Sequence, residues 1–95
     1  MIIGACRVRL HLPGCHSLKE KRGRLKPLLA RLPREFNVAV AETDLQDVWQ
    51  SAEIGLVTVA GGDTGGVHAR LEAMLRWLEA NSPDAEIVDV VVELR

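Results

Sequence analysis

The sequence predicts a single α+β domain, residues 1–95, whose elements run strand, helix, strand, strand, helix, strand. Three observations predict it. Apolar and polar residues alternate with a period of two near both ends of the chain, leucines recur at helical spacing in two stretches, and turn-forming residues separate these segments. A chain of 95 residues, 47% of them hydrophobic, fits one core and leaves no room for a second. Trp49, Trp77 and Phe36 are the whole aromatic set, so that core is aliphatic.

Residues 2–12 place Ile2, Cys6, Val8, Leu10 and Leu12 on one face and Ile3, Ala5, Arg7, Arg9 and His11 on the other, the signature of a half-buried strand. Pro13-Gly14 ends it. Ser17-Leu18-Lys19-Glu20 has the form of a capping box, in which the serine hydroxyl and the glutamate carboxylate satisfy free amides at a helix start. Leu18, Leu25, Leu28, Leu29 and Leu32 then form one apolar stripe. Pro27 is expected to kink this helix or tighten its second half, and Pro33 to mark its end. The run Phe36–Ala41 reads as a second strand, and Glu42 to Asp47 as its connection to a third, roughly Gln50–Ala60. The glycine-rich turn 61–66 precedes a second helix carrying Val67, Leu71, Met74, Leu75 and Leu78, with Asp63 or Thr64 as its cap. Asn81-Ser82-Pro83-Asp84 stops that helix. The last strand, Glu86–Leu94, sets Val88, Val90, Val92 and Leu94 against Ile87, Asp89, Val91 and Glu93.

Two right-handed β-α-β units interleaved in this order give a ferredoxin-like β-α-β-β-α-β sandwich: a four-stranded antiparallel sheet with two helices on one face. With the helices over Val8, Leu10, Val90 and Val92, the open face shows Arg7, Arg9 and His11. The last strand, as antiparallel neighbour, sets Asp89 and Glu93 beside them. Ile3, Ala5, Val57 and Val91 share that face and are the candidates for an interface in a homo-oligomer; an ordinary solvated face is the alternative. No strand offers an aromatic residue there for stacking bases.

Net charge is −1 overall, but it is unevenly spread. Residues 16–35 hold seven basic and two acidic residues, a net of +5, and the remainder holds five basic and eleven acidic, −6. Lys19, Lys21, Arg22, Arg24 and Lys26 are therefore candidates for gripping RNA or another anion through phosphate contacts. The competing reading is a solvated helix face whose long stems cover the edge of the leucine stripe. Two cysteines fall far short of a disulfide framework, and no apolar run reaches the length of a membrane helix. A reduced, cytoplasmic protein with no membrane contact is the expectation.

No catalytic set emerges. Ser17 is committed to capping, and adjacent Cys15, His16 and Ser17 in one turn do not aim at a common point. Metal and cofactor binding are not expected, because no ligands recur at paired spacing and the 61–66 turn lacks the Lys-Ser/Thr of a phosphate loop. Trp49, in the polar connection with Asp44, Gln46, Asp47 and Gln50, either seals the end of the core or presents a contact surface.

Two segments carry a family resemblance. Ser17-Leu18-Lys19-Glu20-Lys21-Arg22, preceded by a strand and Pro13-Gly14, resembles the opening signature of the YlxP-like bacterial proteins of unknown function. Phe36-Asn37-Val38-Ala39-Val40-Ala41-Glu42, followed by Asp44, Gln46-Asp47 and Trp49-Gln50, resembles their second signature. The resemblance implies a ferredoxin-like fold and a link to RNA or the ribosomal particle, and it transfers no catalytic residue. Three functional expectations result: a binding protein using the basic helix and the 44–50 connection; a self-assembling module using the open face; and an enzyme acting on phosphate esters or acyl phosphates at the Gly14–Lys19 turn.

Overall fold

A computed structural model describes residues Met1–Arg95. Its elements are β1 (Ile2–His11), α1 (Leu18–Phe36), β2 (Ala39–Asp44), β3 (Ser51–Ala60), α2 (Thr64–Asn81) and β4 (Glu86–Leu94). The strands form one sheet in the order β2-β3-β1-β4, every neighbour antiparallel. This is the ferredoxin-like α+β arrangement the alternation predicts. β1 is an interior strand, its apolar side packed beneath α2 and its polar side outward, while α1 lies against β2 and α2.

The core joins Cys6, Val8 and Leu10 of β1 to Ala52, Ile54 and Leu56 of β3, under Leu25, Leu28 and Leu32 of α1 and Val67, Leu71, Met74 and Leu78 of α2. Each fully buried aliphatic side chain contributes about 1.5–3 kcal/mol relative to exposure. Trp77 fills the seam between the helices: the Phe36 ring meets it edge-on at 6.2 Å, and the Arg31 guanidinium lies 4.9 Å from its centroid.

Both helix starts are built as the sequence specifies. The Glu20 N–H donates to Ser17 Oγ at 3.0 Å, and the His16 N–H donates to the Glu20 carboxylate at 3.0 Å. Asp63 accepts from the Gly66 N–H in the same way at α2. The His16 amide, followed by the Arg24 guanidinium, holds the Glu20 carboxyl below its ordinary value of 4.5. A depressed folded value means that the stability it confers is present above the unfolded value and is lost as pH falls through the folded one. Glu20→Gln should therefore lower the urea midpoint at neutral pH and leave the acid limb nearly unchanged.

Several boundaries differ from the sequence expectation. α1 runs through both prolines to Phe36 and closes on Asn37 in the left-handed conformation (φ 53°), which asparagine tolerates. Pro27 and Pro33 are exposed; each removes one intrahelical hydrogen bond on the side that water can serve. β2 consequently starts at Ala39 and includes Glu42–Asp44, which had read as connection. In β4 the register slips opposite Arg9 and Leu10: Asp89 still faces Arg9, but Ile87 faces Leu10. That bulge turns Ile87 toward the core, against its expected place on the open face, and leaves Val88 60% exposed. Val92 is 41% exposed even though it faces Cys6 in register, because β4 lies at the sheet edge beyond full helix cover.

Two glycines mark close approaches. Gly4 of β1 lies beneath α2, where a Cβ would collide with Val67 Cγ1 and touch Thr58 and Leu71. At Gly55 a Cβ would meet the Thr43 methyl at 2.5 Å on the open face.

Candidate functional site

α1 carries most of the candidate cations, and the structure divides them into two groups. Lys21, Leu25, Leu28 and Leu32 are all buried and follow one another at helical spacing. Lys21 is thus part of the inward stripe, not of the exposed arc. Its Nζ donates to the Leu45 carbonyl at 2.6 Å and the Val48 carbonyl at 2.8 Å, and stands 2.9 Å from Glu42 Oε2. The Glu42 contact is an ion pair without good hydrogen-bond geometry, and that oxygen has no other partner. Lys21 is 1% exposed, so it is withdrawn from the anion-binding candidates. Arg24 is also engaged: its guanidinium donates to the carbonyls of Pro13 and Asp84 and to Glu20 at 2.9 Å.

The second group is free. Lys19, Arg22 and Lys26 are exposed, and none stands within ion-pair distance of a carboxylate. Their spacing of three and four puts them in one row along about 10 Å of helix.

The connection from β2 to β3 is clamped against the first half of this helix. Leu45 adopts a left-handed backbone (φ 62°), costing about 1–2 kcal/mol for a residue with a Cβ. It is held there from three directions: Asp44 Oδ1 accepts its N–H at 2.8 Å, its carbonyl receives Lys21, and the Val48 N–H also donates to it. Gln46 donates its side-chain amide to the Glu42 carbonyl at 3.4 Å, while the Gln50 carbonyl accepts from the Leu12 N–H and approaches His11 Nδ1. With the backbone stitched down, Asp47, Val48 and Trp49 project outward. Trp49 is 51% exposed, so it does not seal the core; it belongs to a fixed, accessible tip.

On the open face, Ile3, Ala5, Val57 and Val91 occupy neighbouring strands as expected, Ala5 opposite Val57. Val57 is 43% and Val59 51% exposed, while Ile3, Ala5 and Val91 are half-buried. The ionic pairing there differs from expectation. Arg9 turns away from Asp89 toward Glu53 on β3, 3.5 Å from its Oε1, with Asp44 at 3.9 Å. The Thr43 hydroxyl donates to Glu53 Oε2 at 2.8 Å. Glu53 is 5% exposed and was overlooked; its place two residues from Ser51 and Gly55, on the side of Arg9, was the available signal.

Cys15 is buried with its thiol toward the Ser17 carbonyl, and burial raises the Cys6 thiol above its ordinary range. No three His, Cys, Asp or Glu side chains come together. A cleft of about 160 Å³ lies between α1 and the end of α2, but Arg24 and Arg31 on its wall are spent on carbonyls and on Trp77. No helix is long and apolar enough to cross a membrane.

Fold and site together define a small ferredoxin-like domain whose accessible features are surfaces: a cationic helical row beside a clamped aromatic tip. The chain belongs to the family described as "Protein of unknown function (DUF503)", whose model matches residues 3–92. It is similar to the "Uncharacterized protein YlxP" of Bacillus subtilis (strain 168), 46% identical over 44 residues, a match spanning 46% of this chain and about half (48%) of that protein. Among solved structures it resembles "De novo designed protein Foldit4" with a TM-score of 0.50 and 18% identity, covering 99% of this chain and 94% of that one. That likeness concerns the fold alone.

Proposed function

We propose that the protein is a non-enzymatic binding module that engages RNA, free or within a ribosomal particle, through the exposed row of α1. The observation that carries this reading is the unpaired state of Lys19, Arg22 and Lys26: three cations in line, with no carboxylate of their own protein to neutralise them. Trp49, fixed on the loop that Lys21 clamps to the same helix, offers a face on which a base can stack, an interaction of about 1–3 kcal/mol. Association with phosphates releases counterions, so three contacts on a single strand correspond to a log–log salt slope near −2. Raising salt fourfold should weaken binding about twentyfold. Fluorescence anisotropy with a labelled single-stranded RNA measures this directly, and Trp49 emission gives a second readout. Lys19→Ala/Arg22→Ala/Lys26→Ala should flatten the slope without moving the thermal midpoint. A slope that survives the triple substitution would reject the reading.

A second reading, self-association through the open face, is favoured by the exposure of Val57 and Val59 beside the small residues Ala5 and Ala39. Val57→Lys would then reduce the sedimenting mass. The Gly14–Lys19 turn gives no comparable support to an enzyme, since Ser17 and Glu20 are occupied by the helix cap and Cys15 is buried.

A further inference from the structure

The tip of the β2–β3 connection changes the sign of the surface. Lys19, Arg22 and Lys26 on α1 are free cations, but the tip opens with Asp47, exposed and outside ion-pair distance of every cation. Asp47, Val48, Trp49 and Gln50 together line one hollow, open to solvent. Its backbone is already fixed. Lys21 holds the Val48 carbonyl, the Leu12 N–H holds the Gln50 carbonyl, and the Val48 N–H closes the turn onto Leu45. The Asp47 carboxylate and the Gln50 side-chain amide make no hydrogen bond within the protein, although the Gln50 carbonyl and the neighbouring Asp44 and Gln46 side chains do. A half-exposed indole thus shares a recess with one free acceptor and one free amide, and a ligand entering it does not have to order the backbone.

We infer that this hollow takes a guanine base of single-stranded RNA, stacked on Trp49 with its Watson–Crick edge on Asp47. The inference rests on the RNA reading and adds the base to it. A carboxylate repels phosphate, so a strand whose backbone runs along the cationic row meets the tip with a base. Unpaired bases are read on their Watson–Crick edges while the ring stacks on an aromatic side chain. Only guanine offers a carboxylate two adjacent donors, N1–H and the N2 amine, which match its two oxygens as a guanidinium fork does. Adenine and cytosine set their amine beside a ring nitrogen that accepts, and uracil places its N–H between two carbonyls. Each of these turns a lone pair toward the carboxylate. Guanine O6 is left for the Gln50 amide, which donates. A cationic side chain would also suit an indole beside a carboxylate, but the neighbouring row of unpaired cations opposes its approach.

Fluorescence anisotropy on the intact chain tests this with labelled oligouridylates of equal length: one plain, one bearing a single guanine, one an inosine in its place. The guanine strand should bind about tenfold tighter than the plain strand, the lower part of the range for a bidentate base contact. Inosine, which lacks the N2 amine, should lose most of that gain. Asp47→Asn should bring the guanine and plain strands to the same affinity, with the salt slope still about −2 and the thermal midpoint unmoved. Free guanosine monophosphate has no strand to lay along α1 and should compete only at far higher concentration. Competition at the strand's own concentration would reject a base held within RNA. Salt-dependent binding with equal affinity for all three strands, or a guanine preference that survives Asp47→Asn, would overturn the inference and leave the RNA reading standing. Failure to bind any strand would remove both.

Discussion

Lys21→Ala is expected to destabilise the protein by about 3 kcal/mol, the lower end of the range for breaking a buried ion pair, because Glu42 retains 22% exposure. The loss has three parts: the Leu45 and Val48 carbonyls forfeit a charged donor, the Glu42 carboxylate is left in a half-buried site without its cation, and the lysine stem leaves a gap in the α1 stripe. In urea the midpoint should fall by about 2 M for a slope near 1.5 kcal/mol per M. Trp49 should report the same event locally, since its loop loses the clamp that holds Leu45 left-handed. An exposed lysine at this position would change stability by no more than about 0.5 kcal/mol, so a small effect would contradict the buried placement. Glu42→Gln should cost less, because both carbonyls keep their donor.

Gly4→Val should have an effect of similar size for a different reason. The added Cβ runs into Val67, which is fully buried and, being β-branched in a helix, has essentially one rotamer available. Relief therefore requires α2 to lift from the sheet, at a cost of about 3 kcal/mol, with Gly4→Ala about 1–3 kcal/mol. For a domain of this size each kcal/mol lowers the thermal midpoint by about 4–8 °C. Gly55→Ala is the control. Its obstacle, Thr43, is an exposed side chain that can move at the cost of its hydrogen bond to Glu53 without shifting a helix, so the midpoint should drop less.

The fold was legible because its signals are local and repeated: alternation in β1, the Ser17–Glu20 cap, leucine spacing in both helices. The fate of individual charges was harder to read, and Lys21 shows why. Its spacing to Leu25, Leu28 and Leu32 marks it as inward-facing, and Glu42 follows Val38 and Val40 on the core side of β2. Either signal alone looks like a surface residue near a stripe. Only the packing of α1 over β2 reveals that they answer one another. Ile87 and Val88 were misassigned because a bulge adds one residue to the strand and reverses the alternation on its N-terminal side, before Asp89, and no glycine or proline in β4 announces it. The separation of Lys19, Arg22 and Lys26 from Lys21 and Arg24 also depends on tertiary neighbours that a helical wheel does not contain.

The central position of β1 has a consequence for how the chain matures on the ribosome. This strand hydrogen-bonds on one side to residues 51–60 and on the other to 86–94, all made after it. Both its flanks therefore stay open until residues 51–60, and then residues 86–94, have emerged. Pairings this distant in sequence form slowly, and open strand flanks are where nascent chains stick to one another. Arg7 and Arg9, spaced along β1 and turned away from the core, put charge on that waiting strand until β3 and β4 arrive.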